Sequence, residues 1–266
     1  MRKSFATPEP PRLRVRVPAG FVSIEPGETE ETTVELEPLR DDEPTRDALA
    51  RAVVEQRGDE IVVEIEKSGW GLFSRSAKVG VRIRCPQGTS LDCNTASADV
   101  TASGLLGDVT VKTASGDVVL AHVGSLAVTS ASGDVRVQEL QGGGRVNTVS
   151  GDAQIDGVRA ELAANLVSGD LVLGQVDDDV SVQSVSGDQR LRSVRAGDLK
   201  LNSVSGDVEI GMRAGTRLFI DATSTSGEVR SELEVGDSPV GGGEGPEAHV
   251  RVRTVSGDVA LTRALA

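Results

Sequence analysis

An all-β fold wound as a single-stranded β-helix, or β-solenoid, is what this 266-residue chain predicts. Three observations carry that reading. The tripeptide Ser-Gly-Asp recurs through the last two-thirds of the chain at a nearly fixed spacing. The residues flanking it alternate apolar and polar. Residues 87–238 contain no proline. A fixed period means one supersecondary unit stacked on copies of itself. Period-two alternation marks a strand with one buried face. A proline would remove a ladder donor from such a stack.

The motif residues are Asp99 (in a Ser-Ala-Asp variant), Gly116-Asp117, Gly133-Asp134, Gly151-Asp152, Gly169-Asp170, Gly187-Asp188, Gly206-Asp207, Gly227-Glu228 and Gly257-Asp258. From Asp99 to Asp207 the steps are 18, 17, 18, 18, 18 and 19 residues. These residues are read as structural turns. Glycine permits a sharp turn with positive φ, and the aspartate can accept hydrogen bonds from nearby backbone N–H groups. Four residues before each serine the side chain is apolar, as at Val111, Val146 and Val182. After the acid an inward position follows, Gln189 being the polar exception. A weaker bend at Gly107-Asp108, Gly124, Gly157, Asp179 and Gly197-Asp198 divides each coil of about 18 residues in two.

Residues 1–90 lack the repeat and read as a β-rich cap continuous with the solenoid of residues 91–266. Candidate strands there are Leu13–Val17, Phe21–Glu25, Thr32–Glu37, Val53–Arg57, Glu60–Glu66 and Lys78–Arg84, with a short helix between Asp41 and Ala52. A Gly- and Pro-rich stretch at about 235–247 reads as a loop insertion, because the last motif step is 30 residues.

The chain carries a net charge of −13, with 25 acidic and 14 basic residues in 91–266. Such a surface repels nucleic acid. Aromatic residues make up 2%, which argues against base-stacking platforms. Met1-Arg2-Lys3 is followed by no apolar stretch, so no export signal or transmembrane segment is read and cytoplasmic residence is the default. Cys85 and Cys93 do not form a disulfide framework. No cofactor or metal site is assigned. A Ca²⁺ ladder along the stacked acids is disfavoured, because each turn has a single glycine and a single acid. No catalytic residue is assigned either: His122 and His249 are the only histidines, and neither stands in a charged cluster of the sequence. Trp70, Leu72 and Phe73 form an apolar loop that could meet a partner.

The Ser-Gly-Asp-Val coils, the Gly/Pro-rich insertion and the closing Val252-Arg253-Thr254-Val255-Ser256-Gly257-Asp258-Val259 resemble the DUF4097 family, which carries the label "putative adhesin". Phe5-Ala6-Thr7-Pro8-Glu9-Pro10 and Lys67-Ser68-Gly69-Trp70-Gly71 look like actinobacterial members. The resemblance implies a right-handed β-helix and envelope association, and it supplies no catalytic motif. The expected function is a non-enzymatic scaffold or protein-interaction module. The alternatives are a self-assembling, bactofilin-like polymer and a carbohydrate-active β-helix enzyme.

Overall fold

The computed structural model describes residues 1–66, 77–233 and 245–264. The chain divides into two compact units, Met1–Val135 and Arg136–Ala266. Parallel β-strands wound as a solenoid build both, so the all-β expectation holds.

The first unit contains β1 (Arg2–Ala6), β2 (Arg12–Gly27), β3 (Glu31–Pro38), the helix α1 (Glu43–Arg51), β4 (Val53–Arg57), β5 (Glu60–Glu64), β6 (Val79–Pro86), β7 (Ser90–Thr113) and β8 (Val118–Ser130). Asp42 caps α1 by accepting the Thr45 N–H, and Pro44 stands in the first turn, where its missing donor costs nothing. β2 is one continuous strand, where the sequence suggested two. It lies between later segments: β5 and β6 pair with it in parallel on one side and β7 on the other. Leu13, Val15, Val17, Val22 and Ile24 of β2 are buried between these rungs. β3 runs antiparallel to β6, β1 antiparallel to β3, and β4 antiparallel to β5.

The repeat therefore reaches into β2. Gly20 pairs with Ala98 and Phe21 with Asp99, so Ala19-Gly20-Phe21 occupies a motif position. Gly20 has φ 127°, and a Cβ there would lie 2.0 Å from the Val79 carbonyl oxygen. Phenylalanine in place of aspartate hid this copy from the sequence reading. β7 and β8 also run straight through the expected half-way bends at Gly107 and Gly124.

The second unit contains β9 (Val135–Leu140), β10 (Gly144–Thr148), β11 (Ala153–Val158), β12 (Leu162–Ser168), β13 (Leu171–Val176), β14 (Val180–Ser186), β15 (Gln189–Val194), β16 (Gly197–Ser205), β17 (Val208–Met212), β18 (Arg217–Ser226), β19 (Val229–Ser231), β20 (Glu247–Ser256) and β21 (Val259–Arg263). β10, β12, β14 and β16 stack in parallel along one side, and β11, β13, β15 and β17 along another. Inward columns such as Ile155, Leu173, Leu191 and Ile210 are fully buried.

The stack then departs from sequence order. β20 pairs with β16 on one side and β18 on the other, and β21 lies between β17 and β19. The coil of residues 247–263 is thus inserted before the coil of 217–231. Val229 and Val259 do share a column, as the sequence suggested, but Val229 is half-exposed because its rung is the outermost described. Glu247, placed in the loop by the sequence reading, opens β20; residues 235–244 of that loop lie outside the described residues.

Candidate interaction face of the second unit

The bend between paired strands is closed from inside by hydroxyls. The Thr148 Oγ1 accepts the Gly151 N–H at 3.0 Å and donates to the Gly151 carbonyl at 3.1 Å. Thr95 with Ala98 and Ser130 with Gly133 repeat the arrangement in the first unit. At these three bends the hydroxyl two residues before the motif thus satisfies backbone groups that the bend leaves unpaired, whereas Leu166 stands at that place before Ser168 and the Ser184 and Thr254 hydroxyls are buried without a partner.

Outside the bend the motif acids form a ladder. In the second unit the Oδ1 atoms of Asp152, Asp170 and Asp188 accept the backbone N–H of Asp170, Asp188 and Asp207 at 2.8, 2.9 and 2.9 Å. Asp207 then accepts from Asp258, and Asp258 from Glu228, each at 2.8 Å. The acid therefore links neighbouring rungs rather than capping its own turn. In the first unit Asp99 and Asp117 do the same for Asp117 and Asp134 at 3.0 Å.

The glycines between have a steric reason beyond backbone freedom. Gly169, Gly187, Gly206 and Gly257 have φ of 149°, 125°, 126° and 150°. Gly116, Gly133 and Gly227 do not have positive φ, so the turn argument fails for them. Yet a Cβ at Gly116 or Gly133 would meet a carbonyl oxygen of the preceding rung at 2.0 Å, and one at Gly227 would meet Gly257 O at 2.1 Å. At these glycines the rungs approach too closely for a side chain.

Beside this corner runs a feature the sequence reading passed over. Val149, Val167, Val185, Val204 and Val255, each directly before a motif serine, are 48–52% exposed. Strand register places Val167, Val185, Val204 and Val255 side by side, and Val149 follows because Ser168 N–H donates to its carbonyl. Thr225 ends the row on the outermost rung. The signal was present as five valines at one fixed offset, at a position that alternation turns outward. On the other side of the valines lies an amide column, in which Asn165 Nδ2 donates to Asn147 Oδ1 at 2.9 Å.

Several charged groups on this unit pair at the surface. Arg190 bonds Glu209 at 2.6 Å, which raises its pKa, and Arg230 holds the Glu228 carboxyl below its usual range. Arg159 bridges Glu139 and Asp177, and Arg195 also reaches Asp177. The threading order adds Asp198, Lys200 and Asp221 to the charges that His249 already has beside it in sequence, Glu247 and Arg251. Its ring stacks on Phe219 with centroids 4.7 Å apart, and its Nε2 lies 3.8 Å from Glu247. Asp198, Lys200, Asp221 and Arg251 complete an open groove of about 390 Å³ there.

Among the described residues no three His, Cys, Asp or Glu side chains converge as a metal-ligand cluster. Burial pushes the Cys85 thiol up to about 11 and the Cys93 thiol to about 12, so both are inert core residues of the first unit. Trp70, Leu72 and Phe73 lie outside the described residues.

The family model described as Toastrack DUF4097 matches residues 12–262. The chain belongs to the DUF4097 family. No curated protein matches it. Among solved structures, a "putative adhesin" from Parabacteroides merdae aligns with this DUF4097 chain at 12% identity and a TM-score of 0.50, covering 99% of this chain and 96% of the other. A "putative lipid binding protein" from Parabacteroides distasonis aligns at 16% identity and a TM-score of 0.48, covering 96% of each. At these identities the likeness speaks for the fold alone. No helix among the described residues of this DUF4097 chain is long and apolar enough to cross a membrane.

Proposed function

We propose that the protein is a non-enzymatic interaction module whose second unit presents a rigid face to a protein partner. The observation that carries this reading is the stripe of five half-exposed valines bordered by the acid ladder. Single exposed aliphatics are ordinary on a surface, but a contiguous row is not. The backbone beneath is fixed on both flanks by inter-rung hydrogen bonds, so binding costs little ordering entropy. The name of the adhesin-like structure from Parabacteroides merdae agrees with an interaction role.

End-to-end polymerisation fits less well at the outermost described rung. Glu228 turns its carboxylate to Arg230, so it offers the next rung no Asp-type acceptor, and Thr225 ends the valine row.

The test is photo-crosslinking. A photoreactive residue replaces Val185 in the full chain, or Lys112 of the first unit as a control, in cells that produce the protein. The reading expects protein adducts from position 185 and not from 112. Equal or absent labelling at both would count against it.

A further inference from the structure

We infer that the valine stripe docks a basic amphipathic α-helix of a protein partner, an inference that rests on the interaction-module reading above. The occupant follows from charge, area and spacing.

Charge sets its sign. Three positions beyond each valine stand Asp152, Asp170, Asp188, Asp207 and Asp258, all exposed. Each uses Oδ1 to accept a backbone N–H, and Asp170, Asp188, Asp207 and Asp258 keep an exposed carboxylate along the stripe. The nearby cations are outnumbered: Arg190 is bound to Glu209 and Arg230 to Glu228 while also lying within electrostatic reach of Asp170, Asp188 and Asp258, and Arg253 stands beside Val255. A row of acids beside an apolar row calls for lysines or arginines flanking apolar side chains.

Area argues against a second copy of this chain. Five half-exposed valines offer on the order of a few hundred Å² of apolar surface, well short of the ~800 Å² per partner of a standard stable interface. An antiparallel contact between two copies would also set acid row on acid row, on chains of net charge −13.

Spacing selects the conformation. Rungs recur every ~4.8 Å, so the five valines span about 19 Å. An extended peptide shows the same side every ~6.7 Å and loses register after one step. A helix shows one face every ~5.4 Å, and a tilt of roughly 27° to the stripe brings that repeat to the rung spacing.

The probe is a labelled helical peptide of about 20 residues, long enough to cover the stripe, with leucines on one face and flanking lysines. Its controls are a twin with glutamate for lysine and a scramble of the same composition. Binding to the full chain is followed by fluorescence anisotropy at two salt concentrations. Two variants keep the fold. Val167→Thr with Val185→Thr copies the residue that already stands at 225. Asp170→Asn with Asp188→Asn retains an Oδ1 acceptor for the ladder.

The lysine peptide alone should bind, with affinity falling as salt rises. The threonine variant should weaken it by about tenfold or more, and the asparagine variant should weaken it and flatten the salt dependence. No binding, affinity unchanged from the native chain in either variant, binding of the glutamate twin, or a valine-dependent dimer in sedimentation would each overturn the inference. Crosslinks from position 185 without peptide binding would sink the helix while leaving the interaction module standing; the absence of both would sink both.

Discussion

Gln189 occupies a column in which its neighbours in adjacent rungs, Leu171 and Val208, are aliphatic. It is 1% exposed, and neither its Oε1 nor its Nε2 has a hydrogen-bond partner. The nearby sequence position Ser184 also buries an unpartnered hydroxyl. Leaving buried polar atoms unpaired costs about 1–3 kcal/mol. Gln189→Leu should therefore stabilise the protein by about that amount, read as a higher denaturation midpoint in urea without a change in slope. A lower midpoint would mean that the buried amide is satisfied, as by an internal water. At this scale the sequence was informative in part. Gln189 stood out as the break in an apolar column, and the hydroxyl row two residues before the motifs, interrupted at Leu166, pointed inward to the bend. What could not be read was how close the rungs come. The contact of Gly133 with Gly116 O is a distance between residues 17 apart in sequence, and no local rule contains it.

Elements tell the same story at longer range. β4 was placed to the residue and α1 within two residues at each end, because hairpin and capping signals are local. β1 was missed: its Lys3 and Ser4 side chains show no alternation, and among the described residues its strand partner is the antiparallel β3. The order of rungs was missed as well, since parallel strands carry no signature of which neighbour they choose. In hindsight the motif exceptions mark the outermost described rung, where Thr225, Glu228 and Ser231 replace the valine, aspartate and aliphatic residue of inner coils. Such substitutions suit an edge. The inserted coil has an energetic consequence. β18 and β19 find their parallel partners in β20 and β21. Deleting residues 247–266 should therefore strip protection from residues 217–231, with amide exchange there approaching the unfolded rate. Retained slow exchange across 217–231 would show that this coil docks directly on β16 and β17.

At the scale of the whole molecule, family and fold class were legible because periodicity is a global property of the sequence. The acidic balance was legible too, and the ladder gives it a structural use: in each unit motif carboxylates tie neighbouring rungs together. The valine face was harder to see, since it depends on rung order as well as on composition. Both units share one device, a terminal segment of the chain threaded between two others: β2 between β6 and β7, and β20 between β16 and β18. The valine and acid columns exist in the stated order only if that threading is right. Disulfide trapping tests it most directly. Ser205 and Ser256 are partners on adjacent strands, as are Ser256 and Ser226. Ser205 and Ser226 are then two rungs, about 9.6 Å, apart, beyond the ~7 Å Cα limit for a disulfide. The native Cys85 and Cys93 are fully buried and will not compete. Under mild oxidation, Ser205→Cys with Ser256→Cys should form a mapped crosslink and Ser205→Cys with Ser226→Cys should not. A crosslink in the second pair and none in the first would contradict the threading, and with it the face on which the proposed function rests.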